Sequence, residues 1–415
     1  MLVPVASFLV PALSLALPSG YSWGALVLVV AGAISLRDSL TAFRIRGPVA
    51  WRALLATVAL MGLVWLMRLD LQWDAPRLSD FDRFAKYGLA LVAALALLRQ
   101  PASLTWALRG CWVGAWLAAA VAAWQIHGLG LERAHGHTNA IQFGNVAVLL
   151  SLWSVLAAWH ARQLWERILA SGGVLMGALA ALLSGSRGGW WVLLALASLL
   201  GWAWWRHLRA SRRDASLRIV SRAVGVLALI VGLVWSTAGT VLQDRLRNLN
   251  QDLVSYTQGH FNTSIGQRLV HWQLAWSIGL ERPWLGWGQS GYEQRKREWV
   301  EAGRAPAVVL QFGHAHHEWL DLWAKAGAVG VIALALFYAV PARLYLRQLR
   351  AATAKPASHE ATLAAWAGLV LVLGYVGFGL SQAMFAHNSG NVMYLFMNLL
   401  WFSVAMHRTP AHTHA

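Results

Sequence analysis

A single cysteine, Cys111, among 415 residues excludes an intramolecular disulfide and any zinc or iron–sulfur site built on several thiolates. Acidic residues are also scarce, with 17 Asp and Glu against 34 Lys and Arg. None of these acids lies in the interior of an apolar window; Glu166 and Glu360 stand at the starts of two, and Glu318 and Asp321 lie at the edge of another. Carboxylates within the bilayer mark ion and proton pathways because a charge in hydrocarbon persists only for function. Their absence argues against an ion-coupled transporter. The chain also lacks a phosphate-binding Walker loop and a dinucleotide glycine fingerprint, which removes the usual sequence signs of nucleotide chemistry.

What remains is hydrophobic: 58% of residues are apolar, 26 are Trp and only 12% are charged, against about 45–50% apolar and about 25% charged in soluble domains. Twelve apolar windows fall at 4–17, 21–36, 50–67, 86–99, 106–125, 140–160, 166–183, 189–206, 219–238, 325–345, 361–381 and 390–406. The first has no basic flank and runs through Pro18, Ser19 and Gly20 straight into the second, so it reads as a retained helix and not a signal peptide. The expected fold is an all-α integral membrane protein of about 12 transmembrane helices, with residues 1–415 forming a single polytopic membrane domain.

The formal charge of +17 is interpretable once it is located. With the N-terminus in the cytoplasm, every inner loop is basic: Arg37, Arg44, Arg46 and Arg52; Arg99 and Arg109; Arg162 and Arg167; Arg206, Arg209, Arg212, Arg213 and Arg218; Arg343, Arg347, Arg350 and Lys355. Outer loops are short or charge-balanced, as where Arg68, Arg77 and Arg83 meet Asp70, Asp74, Asp80 and Asp82. This satisfies the positive-inside rule, so the excess charge is topological and calls for no nucleic-acid partner. Both termini are then cytoplasmic, and the one long loop, 239–315, lies outside as a cap of short helices. The His-rich tail from His407 to Ala415 reads as frayed and inert.

The polar clusters collect on that outer side. Ser184-Gly185-Ser186-Arg187-Gly188-Gly189 reads as a turn with a serine cap, yet it places Arg187 at the positive end of a helix dipole, an unfavourable position unless an anion binds there. Ser264 to Trp272 opens an amphipathic helix with Arg268 and Trp272 on one face; alone, such an arginine is ordinary solvated surface. Pro283-Trp284-Leu285-Gly286-Trp287-Gly288 reads first as an interfacial tryptophan anchor. His314, His316 and His317 precede Glu318 and Asp321 at a helix start. A metal could be reached by the pairs His314–Glu318 or His317–Asp321, but a helix N-terminus keeps a histidine neutral and suits it better to general-base work. Asn139 and Gln142 either cap a helix or bind sugar hydroxyls. Asp80-Phe81-Asp82 has the spacing of a metal-holding acidic pair, a pattern common by chance, and His387 with Asn388 reads as lining of the last outer loop.

Taken in order, the Ser264-to-Arg268 helix start, the Pro283-to-Gly288 turn, the histidine-led helix at His316 and the turn bearing Arg187 resemble the O-antigen ligase and polymerase superfamily. The resemblance covers most of the chain. It implies a GT-C-like glycosyltransferase architecture in the bacterial inner membrane, with the active site facing the periplasm in the large loop. It further implies transfer of a glycan from undecaprenyl-diphosphate-linked O-antigen, the donor, to lipid A–core, the acceptor in the ligase branch. His316 would be the base, Arg187 and Arg268 would hold the diphosphate, and Asn139, Gln142, His314 and His317 would contact substrate; no metal or other cofactor is implied. The family usually has Asn after the catalytic His, where this chain has His317. An O-antigen polymerase and a protein O-oligosaccharyltransferase share the same motifs. A lipid-linked-sugar flippase is the reading from another class, and it would place its key cations on both sides of the membrane midplane.

Overall fold

A computed structural model describes residues 1–37, 41, 49–69, 81–210, 257–258, 260–354 and 358–407. The ninth window at 219–238, the loop segment 239–256, most of the His-rich tail, Arg44, Arg46, Asp70, Asp74, Arg77, Asp80, Arg212, Arg213, Arg218 and Lys355 lie outside the described residues.

The described chain is helical throughout, without strands. In order the helices are α1 (Leu2–Leu13), α2 (Gly20–Ile34), α3 (Val49–Met67), α4 (Asp82–Arg99), α5 (Leu104–Ala123), α6 (Ala140–His160), α7 (Leu164–Leu183), α8 (Arg187–Ala210), α9 (Ser264–Glu281), α10 (Gly288–Glu301), α11 (Glu318–Ala354), α12 (His359–Gly379) and α13 (Asn388–Ala405). Eleven of the twelve apolar windows coincide with helices from this set. Among the described residues seven helices, namely α3, α5 with the π-turn that extends it, α6, α7, α8, α11 and α12, are long and apolar enough to cross a membrane. With 1.5 Å of rise per residue, about 20 residues match a hydrocarbon core of about 30 Å; α1 and α2, at 12 and 15 residues, are too short to do so alone. The protein is a multi-pass membrane protein.

Burial sorts the helices into centre and rim. α13 is buried along nearly its whole length, and α6 and α12 flank it as the next most enclosed. α7 and α8 form the periphery, where Trp165, Ile168, Trp191, Leu194 and Trp202 are exposed, as a lipid-facing band requires. Small residues set close helix contacts: a Cβ on Gly110 or Gly114 of α5 would stand 2.3 Å from a carbonyl oxygen of α1, Phe8 or Pro11 respectively. That spacing lets two backbones meet where lipid offers no hydrophobic drive between helices.

α11 is broken at Gly327, whose φ of 59° and ψ of −156° interrupt the helical ladder. The amides past the break lose their usual acceptors and find others in the Pro283-to-Gly288 turn: Ala328 N donates to Pro283 O at 2.7 Å and Val329 N to Trp284 O at 3.2 Å. Trp287 N in turn donates to Ala324 O at 3.0 Å. A Cβ at Gly327 would lie 2.4 Å from the Trp284 carbonyl carbon, so the approach requires glycine. The turn's work is therefore backbone satisfaction at a helix break, while Trp284 and Leu285 remain exposed beside it.

α9, α10 and the 3-10 turn Ala307–Gln311 form a cap with its own small core of Val270, Leu274, Ile278, Tyr292, Val309 and Ala315. The cap packs on α11 and ends in the segment that carries the three histidines.

Candidate functional site

The segment from Val309 to Ala315 has no regular structure after its 3-10 turn, so its buried polar groups need partners from elsewhere. Two lysines and one aspartate supply them. Lys296 of α10 donates to Val309 O at 3.3 Å and to Phe312 O at 2.6 Å. Lys325 of α11 donates to Gly313 O at 2.7 Å, and Gln289 adds a second bond to that oxygen at 3.1 Å. Asp321 accepts from Ala315 N at 3.1 Å.

Asp321 is fully buried and balanced by two cations, Lys325 at 2.7 Å and Arg68 at 3.2 Å. Arg68 also stacks on Trp65, its guanidinium carbon 3.9 Å from the ring centre. Spent in this way, Asp321 is no metal partner for His317. Glu318 likewise accepts from Phe385 N at 3.0 Å, tying the start of α11 to the turn before α13.

His316 sits at φ 51°, in the left-handed region that a residue with a side chain seldom occupies. Its backbone N–H donates to His314 Nδ1 at 3.3 Å, and its ring meets His314, Phe312 and His271 edge-on with centroids 4.3, 4.6 and 5.6 Å away. His316 Nδ1 lies 3.1 Å from Gln382 Oε1. His387 lies across the same amide, its Nε2 3.3 Å from Gln382 Nε2. Burial lowers His271 and His314 to about 3 and His316 and His387 to about 4; nearby positive charge adds to this, from Arg268 on His316 and from Arg83 on His387. His317 is lowered by burial alone. All five are neutral at pH 7. His317 plays a local part: its Nδ1 accepts from Leu320 N at 3.4 Å in the first turn of α11, and its ring packs on Trp272 at 5.3 Å.

The arginines arrive from three places. Thr263 caps α9, its hydroxyl accepting from Gly266 N at 3.0 Å, and this sets Arg268 on the second turn. Arg187 is the first residue of α8, after a turn in which Gly185 takes φ 65° and Ser186 Oγ donates to Asn145 Oδ1 at 3.1 Å. Arg133, in the α5–α6 loop, donates through Nε to Ser184 O at 2.9 Å and so is fastened to that same turn. Arg268 feels burial first, then the positive charges of Arg187 and Arg133, all of which lower its pKa. It has no carboxylate partner among the described residues. Arg268, whose charge reaches the neutral His316, thus lies in the field of two further guanidinium groups, an arrangement that favours an anion.

Asn139 caps α6, its Oδ1 accepting from Gln142 N at 2.8 Å, while its Nδ2 reaches the His387 ring at 3.3–3.4 Å. The capping role read from sequence is therefore present alongside a contact to the histidine cluster. Gln142 is fully buried and both polar atoms of its amide lack partners. Asp82 pairs with Lys86 one turn on, while Asp80 lies outside the described residues. Sequence reasoning passed over Gln382, Arg133 and Lys325. None stands in a motif, and each acts on residues brought near only by the fold.

A relative from Haemophilus influenzae, described as an uncharacterized protein, is 28% identical over 290 residues, covering 68% of this chain and 69% of its own. The family model described as O-antigen ligase matches residues 172–335. That segment runs from α7 through the cap into α11, and with Arg187, Arg268 and His314 to His317 inside it, it is a domain of the O-antigen ligase superfamily.

Proposed function

We propose that the protein is an O-antigen ligase, transferring O-antigen from undecaprenyl diphosphate to a sugar hydroxyl of lipid A–core at the periplasmic face of the bacterial inner membrane, with both termini in the cytoplasm. The observation that carries this reading is Arg268, without a carboxylate partner among the described residues, acting on the neutral His316 and lying in the field of Arg187 and Arg133. A diphosphate leaving group gains negative charge as its bond to the anomeric carbon breaks, and fixed guanidinium groups stabilise that charge where it develops. The acceptor oxygen attacks the anomeric carbon, its proton passes to His316, and the diphosphate departs; a single displacement inverts the carbon. Asn139, Gln142, His314 and His317 border the sugars. The lipid chain lies between helices, and the cap shields the site from water.

The test is transfer by purified protein in lipid nanodiscs, supplied with lipid-linked O-antigen and lipid A–core in EDTA. Wild type is expected to form product. His316→Asn is expected to form at least about a hundredfold less, in line with loss of a general base; asparagine suits this position because it tolerates the left-handed backbone. Equal product from both would remove His316 from the reaction. No product from folded wild type, with polymer formed from the donor alone, would make the protein a polymerase.

A further inference from the structure

The histidine cluster holds a buried amide that the transfer chemistry leaves unused. Gln382 follows the end of α12, its backbone N–H donating to Phe378 O at 3.0 Å, and its side chain is buried between two imidazoles contributed by distant parts of the chain. An amide presents one acceptor atom and one donor atom, so it imposes opposite demands on the two rings.

The direction of the network follows from the Gln382 amide. Asn139 Oδ1 accepts from the backbone N–H of Gln142, so its Nδ2 is the atom that faces His387, 3.3 Å from Nδ1 and 3.4 Å from Nε2, and it does not distinguish the two ring nitrogens. Gln382 Nε2 donates to the same Nε2 at 3.3 Å, which places the proton of His387 on Nδ1. The Gln382 oxygen then faces His316 Nδ1 at 3.1 Å and can only accept. His316 must carry its proton on Nδ1, leaving Nε2 with a free lone pair.

We propose that Gln382 is a positioning residue that holds His316 in the Nδ1-protonated tautomer, linking the cap of α6 to the base through Asn139, His387 and Gln382. The inference rests on the reading of His316 as the base. It adds that the base is oriented by a neutral amide and not by a carboxylate, and the hydrogen bond to that amide raises the basicity of His316 without offsetting the effect of burial.

The experiment is nitrogen NMR of histidine-labelled protein in nanodiscs, with the His316 signal assigned by its loss in His316→Asn, alongside transfer assays across pH. Wild type is expected to show Nδ1 protonated and Nε2 bare. Gln382→Glu, close in shape, puts a carboxylate against Nδ1; it is expected to raise the His316 titration by at least about one unit and to move the acid limb of activity by the same amount. Gln382→Leu is expected to mix the tautomers and to lower kcat at least about tenfold with donor KM unchanged. A wild-type His316 protonated on Nε2, or a titration unmoved in Gln382→Glu, overturns the proposal. Because the tautomer is read without turnover, failure of transfer by wild type would count against the ligase reading alone.

Discussion

The two ends of α6 carry similar residues in opposite electrostatic arrangements. At its C-terminal end His160 Nε2 lies 2.9 Å from Thr105 Oγ1, and Arg109 is paired with Glu166. The arginine there is paired with a carboxylate and the imidazole is bonded through one nitrogen, while His160 Nδ1 is buried without a partner. At the N-terminal end, where Asn139 caps the helix, the charges acting on Arg268 are those of Arg187 and Arg133, all of one sign, beside histidines kept neutral by burial. A paired arginine such as Arg109 is complete; Arg268, without a carboxylate partner among the described residues and repelled by two other guanidinium groups, is open to an anion that arrives from outside. The contrast locates function at one end of a bundle whose helices serve both.

Breaking the contrast at the two arginines gives the largest expected difference. Arg268→Ala should lower transfer by a factor on the order of 100 to 1000, as for loss of a preorganised charge contact, with expression unaffected. Arg109→Ala at the other end should leave the rate unchanged, since Arg109 is paired with Glu166 and lies over the Trp106 ring. Steady-state transfer by the two variants checks both. Next comes Asp321→Ala, which strands Arg68 and Lys325 in the interior and should cost about 3–5 kcal/mol of stability. Replacing Arg68, Asp321 and Lys325 together by Met, Asn and Met should recover much of that loss, as read by thermal unfolding in nanodiscs.

Acid sharpens the comparison further. The histidines of the cap end have folded-state pKa values near 3 or 4, below the ordinary value of about 6.5. Between these values the unfolded chain binds more protons than the folded one, so their contribution to stability is whole above about pH 6.5 and is lost as pH falls toward 4 and then 3. The unfolding midpoint should be level from pH 8 to 7 and decline below 6. The acid limb of kcat/KM should fall near pH 4, where His316 titrates. The smallest effect is on stability at the opposite end: loss of the partly exposed Arg109–Glu166 pair should cost no more than about 1 kcal/mol.

Much of this was legible in the chain because it depends on local pattern. Apolar windows give helices wherever a membrane or a core receives them, and eleven of the windows coincide with helices in the described residues. Arg187 at a glycine turn and His316 at a helix start are features of a few neighbouring residues. Gln382 was not legible, since its meaning depends on His316, 66 positions earlier. Arg68 and Asp321, 253 positions apart, are likewise joined only by the packing of α3 on α11. The Pro283-to-Gly288 turn shows a subtler limit. Its tryptophans suggested an interfacial anchor, whereas its carbonyls receive the amides freed at Gly327, and a backbone role of that kind leaves no mark in side-chain composition.

The measurement closest to the central claim is binding of undecaprenyl diphosphate to the protein in nanodiscs, for wild type, Arg268→Ala and Arg109→Ala at two salt concentrations. The account predicts binding that weakens with salt, falls at least about tenfold in Arg268→Ala and is unchanged in Arg109→Ala. Equal affinity in wild type and Arg268→Ala, or an equal loss in the two variants, would contradict it.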